Sequence, residues 1–201
     1  MLTFYHAPRS RSFRILWLLE ELGVPYDRKI VSIRRGDGTG ESEGPAYRNI
    51  HPHAKVPAII HNGVPIFETP AIALFLTDLF PETDLGPKIG DPLRGPYLSW
   101  LSYTTGVFEP ALTAKYTNMG HKYGAFGWGP FDEVIGHIGN IVSKNQFLLG
   151  NKFSAADIVL GGSMPFLITT KLLPDTEPFK SYIARITARP AYSAAKAKDR
   201  M

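Results

Sequence analysis

His53-Ala-Lys-Val-Pro-Ala-Ile-Ile-His-Asn-Gly-Val-Pro-Ile-Phe-Glu-Thr-Pro-Ala-Ile72 decides the fold. Val56-Pro57 opens an apolar run through Ala58, Ile59 and Ile60 that reads as a strand. Asn62-Gly63 suits the two positive-φ positions of a type I′ turn, and apolar residues flank it, so the chain returns as a strand over 64–67. After Glu68, Thr69 has the hydroxyl of an N-cap, and Pro70 suits the first helical position, where a missing N–H costs nothing. Free amides at that helix start, and the positive end of its dipole, suit an anion such as a carboxylate. Taken alone, the segment is equally an ordinary hairpin followed by an ordinary helix.

Upstream, residues 2–5 form a short apolar strand closed by the turn-forming His6-Ala7-Pro8-Arg9. A helix from Ser10 or Ser12 to Leu22 carries Phe13, Leu16, Trp17 and Leu19 at spacings of three and four, and Gly23 stops it. Residues 26–33 alternate in part like a strand. Strand, helix, strand in that order favours a right-handed parallel crossover. The polar stretch 34–49, with Gly36, Gly38, Gly40 and Gly44, reads as a loop with room for one short helix. With the hairpin and a helix over 69–80, this makes a βαβ–ββα unit, a helix-covered sheet of the thioredoxin-like kind.

Downstream the signal changes to helices alone. Pro81-Glu82-Thr83-Asp84-Leu85-Gly86-Pro87 is a linker by composition. The expected fold class is therefore α/β plus all-α, with a thioredoxin-like domain over 1–80, a linker over 81–91 and a helical domain over 92–201. Residues 93–116 place Leu93, Tyr97, Trp100, Leu101, Phe108 and Leu112 along one side of a helix. Residues 131–147 do the same with Val134, Ile135, Ile138, Ile141 and Val142. Ser154-Ala155-Ala156-Asp157 has capping-box spacing and opens a helix through about Leu167, with Phe153 placed as a hydrophobic staple. A last helix over 179–187 precedes a basic tail containing Arg189-Pro190.

Composition narrows the function classes. The 201 residues are 44% hydrophobic and 20% charged, which describes a soluble globular protein rather than a disordered one. No apolar run approaches a membrane span, and Met1-Leu2-Thr3-Phe4-Tyr5-His6 lacks the parts of a secretory signal, so cytoplasmic residence is expected. The chain has no cysteine, which removes disulfides, thiolate metal sites and any thiol nucleophile of its own. Sulfur chemistry therefore needs a bound thiol. The formal net charge is +4. Basic residues at Arg9, Arg11, Arg14, Arg28, Lys29, Arg34 and Arg35 are interleaved with Glu20, Glu21, Asp27, Asp37, Glu41 and Glu43. That mixture favours a solvated surface over a nucleic-acid footprint. His, Asp and Glu are too scattered to suggest a metal site.

Four segments together resemble the cytosolic glutathione transferases over essentially the full length. They are Phe4-Tyr5-His6-Ala7-Pro8-Arg9-Ser10-Arg11-Ser12-Phe13-Arg14-Ile15-Leu16-Trp17, Lys55-Val56-Pro57-Ala58, Glu68-Thr69-Pro70-Ala71-Ile72 and Gly150-Asn151-Lys152-Phe153-Ser154-Ala155-Ala156-Asp157-Ile158. Thr69 stands where the family more often has serine, and Ala54 replaces a common glycine. The missing cysteine sets the chain apart from the cysteine-type members and implies a serine-type enzyme, similar to theta-like and related bacterial or fungal transferases.

The resemblance implies glutathione as co-substrate, its thiol ionised by a serine hydroxyl. Ser10, four residues before Arg14, has the family spacing for that donor. Ser12, Tyr5 or a backbone amide are the other candidates, and helix capping is the ordinary role of either serine. Val56 would pair its main chain with the cysteinyl residue of glutathione, a cis Pro57 turning that edge outward. Glu68 would meet the γ-glutamyl ammonium and Thr69 its carboxylate. Lys55, with His53 or His51, would meet the glycyl carboxylate. An apolar electrophile is expected between the two domains, near 7–9 and among Tyr97, Trp100, Tyr103, Thr104, Phe108 and Tyr116. The resemblance also implies a homodimer. Conjugation, ether cleavage and peroxide reduction all fit this chemistry. A non-catalytic ligand-binding or scaffold protein of the same fold is the alternative, and a nucleic-acid binder a remoter one.

Overall fold

In the computed structural model, residues 1–35, 38–40 and 43–200 are described. The chain divides into two compact units, Met1–Thr83 with the segment from Arg189 onward, and Asp84–Ala188. The segment from Arg189 thus packs with the first unit, although the sequence places it with the helical domain.

In the first unit, β1 (Leu2–His6), α1 (Phe13–Leu22) and β2 (Asp27–Ile30) form the expected parallel crossover, with Thr3 opposite Asp27 and His6 opposite Ile30. β3 (Ala58–His61) lies antiparallel to β1, and β4 (Val64–Phe67) antiparallel to β3, giving the order β2-β1-β3-β4. The hairpin turns on Asn62 at φ 50° and Gly63 at φ 84°, the left-handed pair that a type I′ turn requires. β3 begins at Ala58 rather than Val56, since Pro57 has no N–H to give a ladder. α2 (Thr69–Leu79) follows β4 and buries Ile72, Ala73 and Leu76. The Gly-rich stretch expected over 34–49 includes Gly36, Asp37, Glu41 and Ser42, which lie outside the described residues; its end forms a 3-10 turn, Pro45–Asn49.

α1 is apolar on nearly every side. Ile15, Leu16, Trp17, Leu18 and Leu19 all have no exposed surface, as expected of a helix covered on both faces. Each such side chain contributes about 2 kcal/mol by leaving water. The second cover is α9 (Pro190–Asp199), where the sequence suggests only a basic tail. Two basic residues of this segment are paired with acids of α1. Arg189 makes a bidentate contact with Glu21 at 2.6 and 2.7 Å, and Lys198 Nζ lies 2.6 Å from Glu20. Tyr192 meets Phe13 and Trp17 edge-on, with ring centroids 5.6 and 5.0 Å apart.

In the second unit, α3 (Arg94–Tyr103) and α4 (Glu109–Tyr116) are joined by a π-helical turn, Thr104–Phe108. The expected helix over 93–116 is thus interrupted. Pro110 has no N–H for residue 106, and the wider turn absorbs that loss. α5 (Phe131–Lys144) buries Val134, Ile135, Ile138 and Val142. The helix expected through Leu167 is instead two, α6 (Ala155–Gly161) and α7 (Met164–Thr169), because Pro165 cannot donate to residue 161. α8 (Phe179–Thr187) matches its expected bounds.

The capping box of α6 is formed. Fully buried Asp157 accepts the Ser154 amide at 3.0 Å, and it also accepts the Leu148 amide at 2.9 Å and the Tyr182 hydroxyl at 3.0 Å. Burial pushes its carboxyl up to about 6, against the pull of these hydrogen bonds. An unfolded aspartate ionises near pH 4. Between the two values the folded chain holds more protons than the unfolded one, so stability falls as pH rises through that window. Relative to Asp157→Asn, the natural chain is expected to lose about 3 kcal/mol of stability between about pH 4 and 7, read from urea unfolding of both proteins. A difference that stays flat over this range refutes the assignment.

Candidate functional site

Sheet register brings three chain reversals to one end of the first unit. Tyr5 pairs with Ala58 and Ala58 with Phe67, so the end of β1, the start of β3 and the end of β4 are neighbours. Residues 7–12 follow the first, 55–57 precede the second, and Glu68-Thr69 follow the third. Beneath this edge lies a buried cluster of Tyr5, Val31, Tyr47, Ala54 and Ala58, with Val56 and Ile60 packed against it. The Tyr47 hydroxyl, which burial keeps protonated well above neutral pH, donates to the Lys55 carbonyl at 2.9 Å and steadies the approach to β3.

Two serines stand at the head of α1 with different surroundings. Ser12, the cap residue, has no exposed surface; its Oγ lies 2.8 Å from His6 Nδ1 and accepts the Ala7 amide at 3.2 Å. Ser10 is half-buried, donates to the Ala7 carbonyl at 2.7 Å and lies 2.8 Å from Ser12 Oγ. A ligand arriving from outside can therefore meet the Ser10 hydroxyl but not that of Ser12. Tyr5 is buried in the cluster below. His6, which the sequence offers only as a turn residue, is fully buried against Ser12. Its position at a strand end, six residues before a serine, was the available signal.

The Val56–Pro57 peptide is cis. Pro57 is buried and Val56 half-buried, and no described residue hydrogen-bonds to the Val56 main chain. Lys55 and His53 are exposed. His51 differs. It is 4% exposed, its ring lies 5.2 Å from that of Phe67, and burial holds its pKa below the ordinary value despite the opposing pull of Glu68. A neutral His51 is a poor partner for a carboxylate, which leaves Lys55 and His53 as the basic groups on this side.

Thr69 is the first helical residue of α2 rather than its cap, and Glu68 takes the cap position with φ 72° and ψ 122°. That left-handed backbone is sparsely populated by residues with a Cβ and costs about 1–3 kcal/mol. Glu68 itself is exposed, while Thr69 is buried; no described residue bonds to the Thr69 amide or hydroxyl. A helix start with a free amide and hydroxyl suits a carboxylate.

In the second unit, Tyr97, Thr104 and Phe108 are fully buried and Trp100 nearly so, placing them in its core rather than at a surface. Tyr103 is half-buried, and Tyr116 is 71% exposed. Among the described residues no group of three or more His, Asp and Glu could hold a metal ion, and no helix is long and apolar enough to cross a membrane.

Residues 1–78 match the family model described as Glutathione S-transferase, N-terminal domain. Glutathione S-transferase 3 of Schizosaccharomyces pombe is 25% identical over 219 residues, covering 98% of this chain and 88% of that protein. Glutathione S-transferase F10 of Arabidopsis thaliana is also 25% identical, covering 98% and 97%. Among solved structures, a glutathione transferase from Methylococcus capsulatus superposes with a TM-score of 0.81 at 23% identity, covering 99% of this chain and 98% of the other. A sphingomonad glutathione S-transferase, solved in complex with glutathione, gives 0.80 at 22%, with 99% of both chains covered. The first 78 residues thus match the N-terminal domain of glutathione S-transferases, relatives of that name align over nearly the whole chain, and the fold is shared with solved glutathione transferases.

Proposed function

We propose that the chain is a glutathione transferase of the serine type, which binds glutathione at the edge described above and ionises its thiol for attack on an apolar electrophile. One observation carries the reading. The Ser10 hydroxyl, the Val56 main chain and the amide and hydroxyl of Thr69, the latter two residues' groups unpaired among the described residues, all lie at the same end of the sheet.

Each part of the tripeptide has a chemically matched group there. The cysteinyl main chain extends the Val56 edge as an added strand. The γ-glutamyl carboxylate meets Thr69 at the start of α2, and its ammonium meets Glu68. Lys55, with His53, faces the glycyl carboxylate. The thiol comes to Ser10. A free cysteine thiol has a pKa of about 8.5, so only a few per cent is thiolate at pH 7. A hydroxyl donating to the sulfur stabilises the charged form, and each unit of lowering is worth about 1.4 kcal/mol. One charge-assisted hydrogen bond with a nearby helix start suffices for one to two units, roughly. The chain supplies no sulfur of its own, so the bound thiol is the nucleophile. A homodimer in the cytoplasm, with a hydrophobic second substrate, completes the proposal.

Ser10→Ala is expected to lower the rate of conjugation with a model aryl halide tenfold or more while calorimetry still detects glutathione binding. An unchanged rate together with an unchanged thiol pKa removes Ser10 from the mechanism. If the natural chain binds glutathione but conjugates nothing, the ligand-binding alternative replaces catalysis.

Glu68→Gly separates stability from binding at one residue. Glycine accepts the left-handed backbone freely, so unfolding should become harder by about 1 kcal/mol. Loss of the carboxylate opposite the ammonium should weaken glutathione binding about tenfold, as for a charged hydrogen bond. Thermal melts and calorimetry on the same samples check both, and unaltered affinity removes Glu68 from the site.

A further inference from the structure

The end of α9 reaches the loop that presents Ser10. The two carboxylate oxygens of Asp199 accept the Arg9 amide at 3.2 and 3.3 Å. Arg9 holds a left-handed φ of 55°, and Arg35 donates to the carbonyls of Pro8 and Arg9, so this loop is fixed from two sides. Asp199 Oδ1 also stands 3.2 Å from Nε2 of His6, within ion-pair distance though out of line for a ring N–H hydrogen bond. From His6 the contacts continue through Nδ1 to Ser12 Oγ at 2.8 Å, and from Ser12 Oγ to Ser10 Oγ at 2.8 Å.

We propose that Asp199 and His6 are positioning residues for Ser10. The carboxylate sets the His6 tautomer, His6 accepts the hydrogen bond of the Ser12 hydroxyl, and Ser10 is left as the hydroxyl whose proton turns to a bound thiol. The proposal rests on the reading of the chain as a glutathione transferase.

A carboxylate beside Nε2 favours the tautomer with its proton there, which makes Nδ1 an acceptor. The hydrogen at hand for Nδ1 is that of Ser12. Engaged in a hydrogen bond to Nδ1, that hydrogen no longer competes for the Ala7 carbonyl, 3.2 Å from Ser12 Oγ. Ser12 Oγ then accepts the Ala7 amide and has a lone pair for Ser10. Ser10 keeps two neutral resting partners, Ala7 carbonyl at 2.7 Å and Ser12 Oγ at 2.8 Å. A thiolate is a charged acceptor and outcompetes both. Without the carboxylate the other tautomer becomes accessible. Nδ1–H then donates to Ser12, and the Ser12 proton is free to occupy the Ala7 carbonyl or Ser10 Oγ. The hydroxyls then lose their single arrangement.

Asp199 is suited to this part. Burial acts to raise its pKa, but His6, the Arg9 amide and Lys196 outweigh it and hold the carboxyl below its ordinary value. Lys196 of α9, with Arg9 and Arg35 of the loops, are the other charged groups facing this corner. Carboxylate, imidazole and hydroxyl also occur in this order in hydrolytic triads. Here Ser12 has no exposed surface, so it orients a neighbour instead of attacking a substrate.

The test compares Asp199→Asn, Ser12→Ala and the double variant with the natural chain and Ser10→Ala. Asparagine keeps an oxygen for the Arg9 amide and drops the charge; alanine at 12 cuts the link and leaves Asp199 in place. The readouts are melting temperature, glutathione affinity by calorimetry, and the pH midpoint of the ultraviolet absorbance of the bound thiolate. Each single variant should raise that midpoint by about half to one unit, about a 3–10-fold loss of thiolate at pH values well below the midpoint. Affinity should stay within about threefold, and the double variant should shift no further than one single variant, as for residues acting in series. An unmoved midpoint in folded Asp199→Asn, or additive shifts, overturns the positioning role. So does a shift matched by an equal loss of affinity and melting temperature, which marks a structural role. Should Asp199→Asn fail to fold, Ser12→Ala decides by the same midpoint. If the natural chain fails to bind glutathione, or holds it with an unshifted thiol, the transferase reading itself has failed.

Discussion

β3 is paired on both sides, to β1 through Tyr5 and Ala58 and to β4 through Ala58 and Phe67. Side chains along a strand alternate between faces, so a slip of one residue in either pairing would turn the fully buried Ile59 outward and Ile60 inward. The hairpin at Asn62-Gly63 removes that freedom with two residues, because its backbone twist matches that of the strands it joins. Ser10, Val56 and Thr69 keep company only while this register holds. Their chemistry is a property of the sheet first and of their own loops second.

Two buried polar systems serve different ends. In the second unit, Asp157 gathers amide and hydroxyl donors from three places and spends its acceptor capacity on holding α6 against its neighbours. Nothing in that arrangement is open to a ligand. In the first unit, the chain from Asp199 through His6 and Ser12 ends on a hydroxyl that solvent can reach. Fully satisfied networks rigidify; one with a free end can also act on what binds there. The contrast between Asp157 and Ser10 is one of access, not of composition.

Much of this was legible in the sequence. Asn62-Gly63, Gly23 and Ser154 with Asp157 carry their geometry in local chemistry, and the strands and helices they punctuate lie close to where those residues put them. The misses share a cause, which is that a distant partner changed the meaning of a local signal. Arg189 and Lys198 look like a solvated tail until Glu20 and Glu21 of α1 are opposite them. Pro110 and Pro165 subtract single hydrogen bonds from otherwise periodic stretches, and whether a helix widens or breaks there depends on its packing. His6 reads as a turn residue because, although Ser12 stands six residues on, nothing near it in sequence reveals Asp199 on the other side of its ring. The aromatic residues of 93–116 kept their helical face, but that face is mostly interior.

The first unit is discontinuous: its sheet comes from the first 83 residues, while its outer helix is made after the whole of 84–188. A chain synthesised from its N-terminus exposes the α1 surface of Phe13 and Trp17 until α9 emerges. Closing that unit joins residues far apart in the chain, a slow step by the usual relation between contact separation and folding rate. Maturation of the serine corner therefore waits on the synthesis of α9, since Asp199 lies 190 residues beyond Arg9 in the chain.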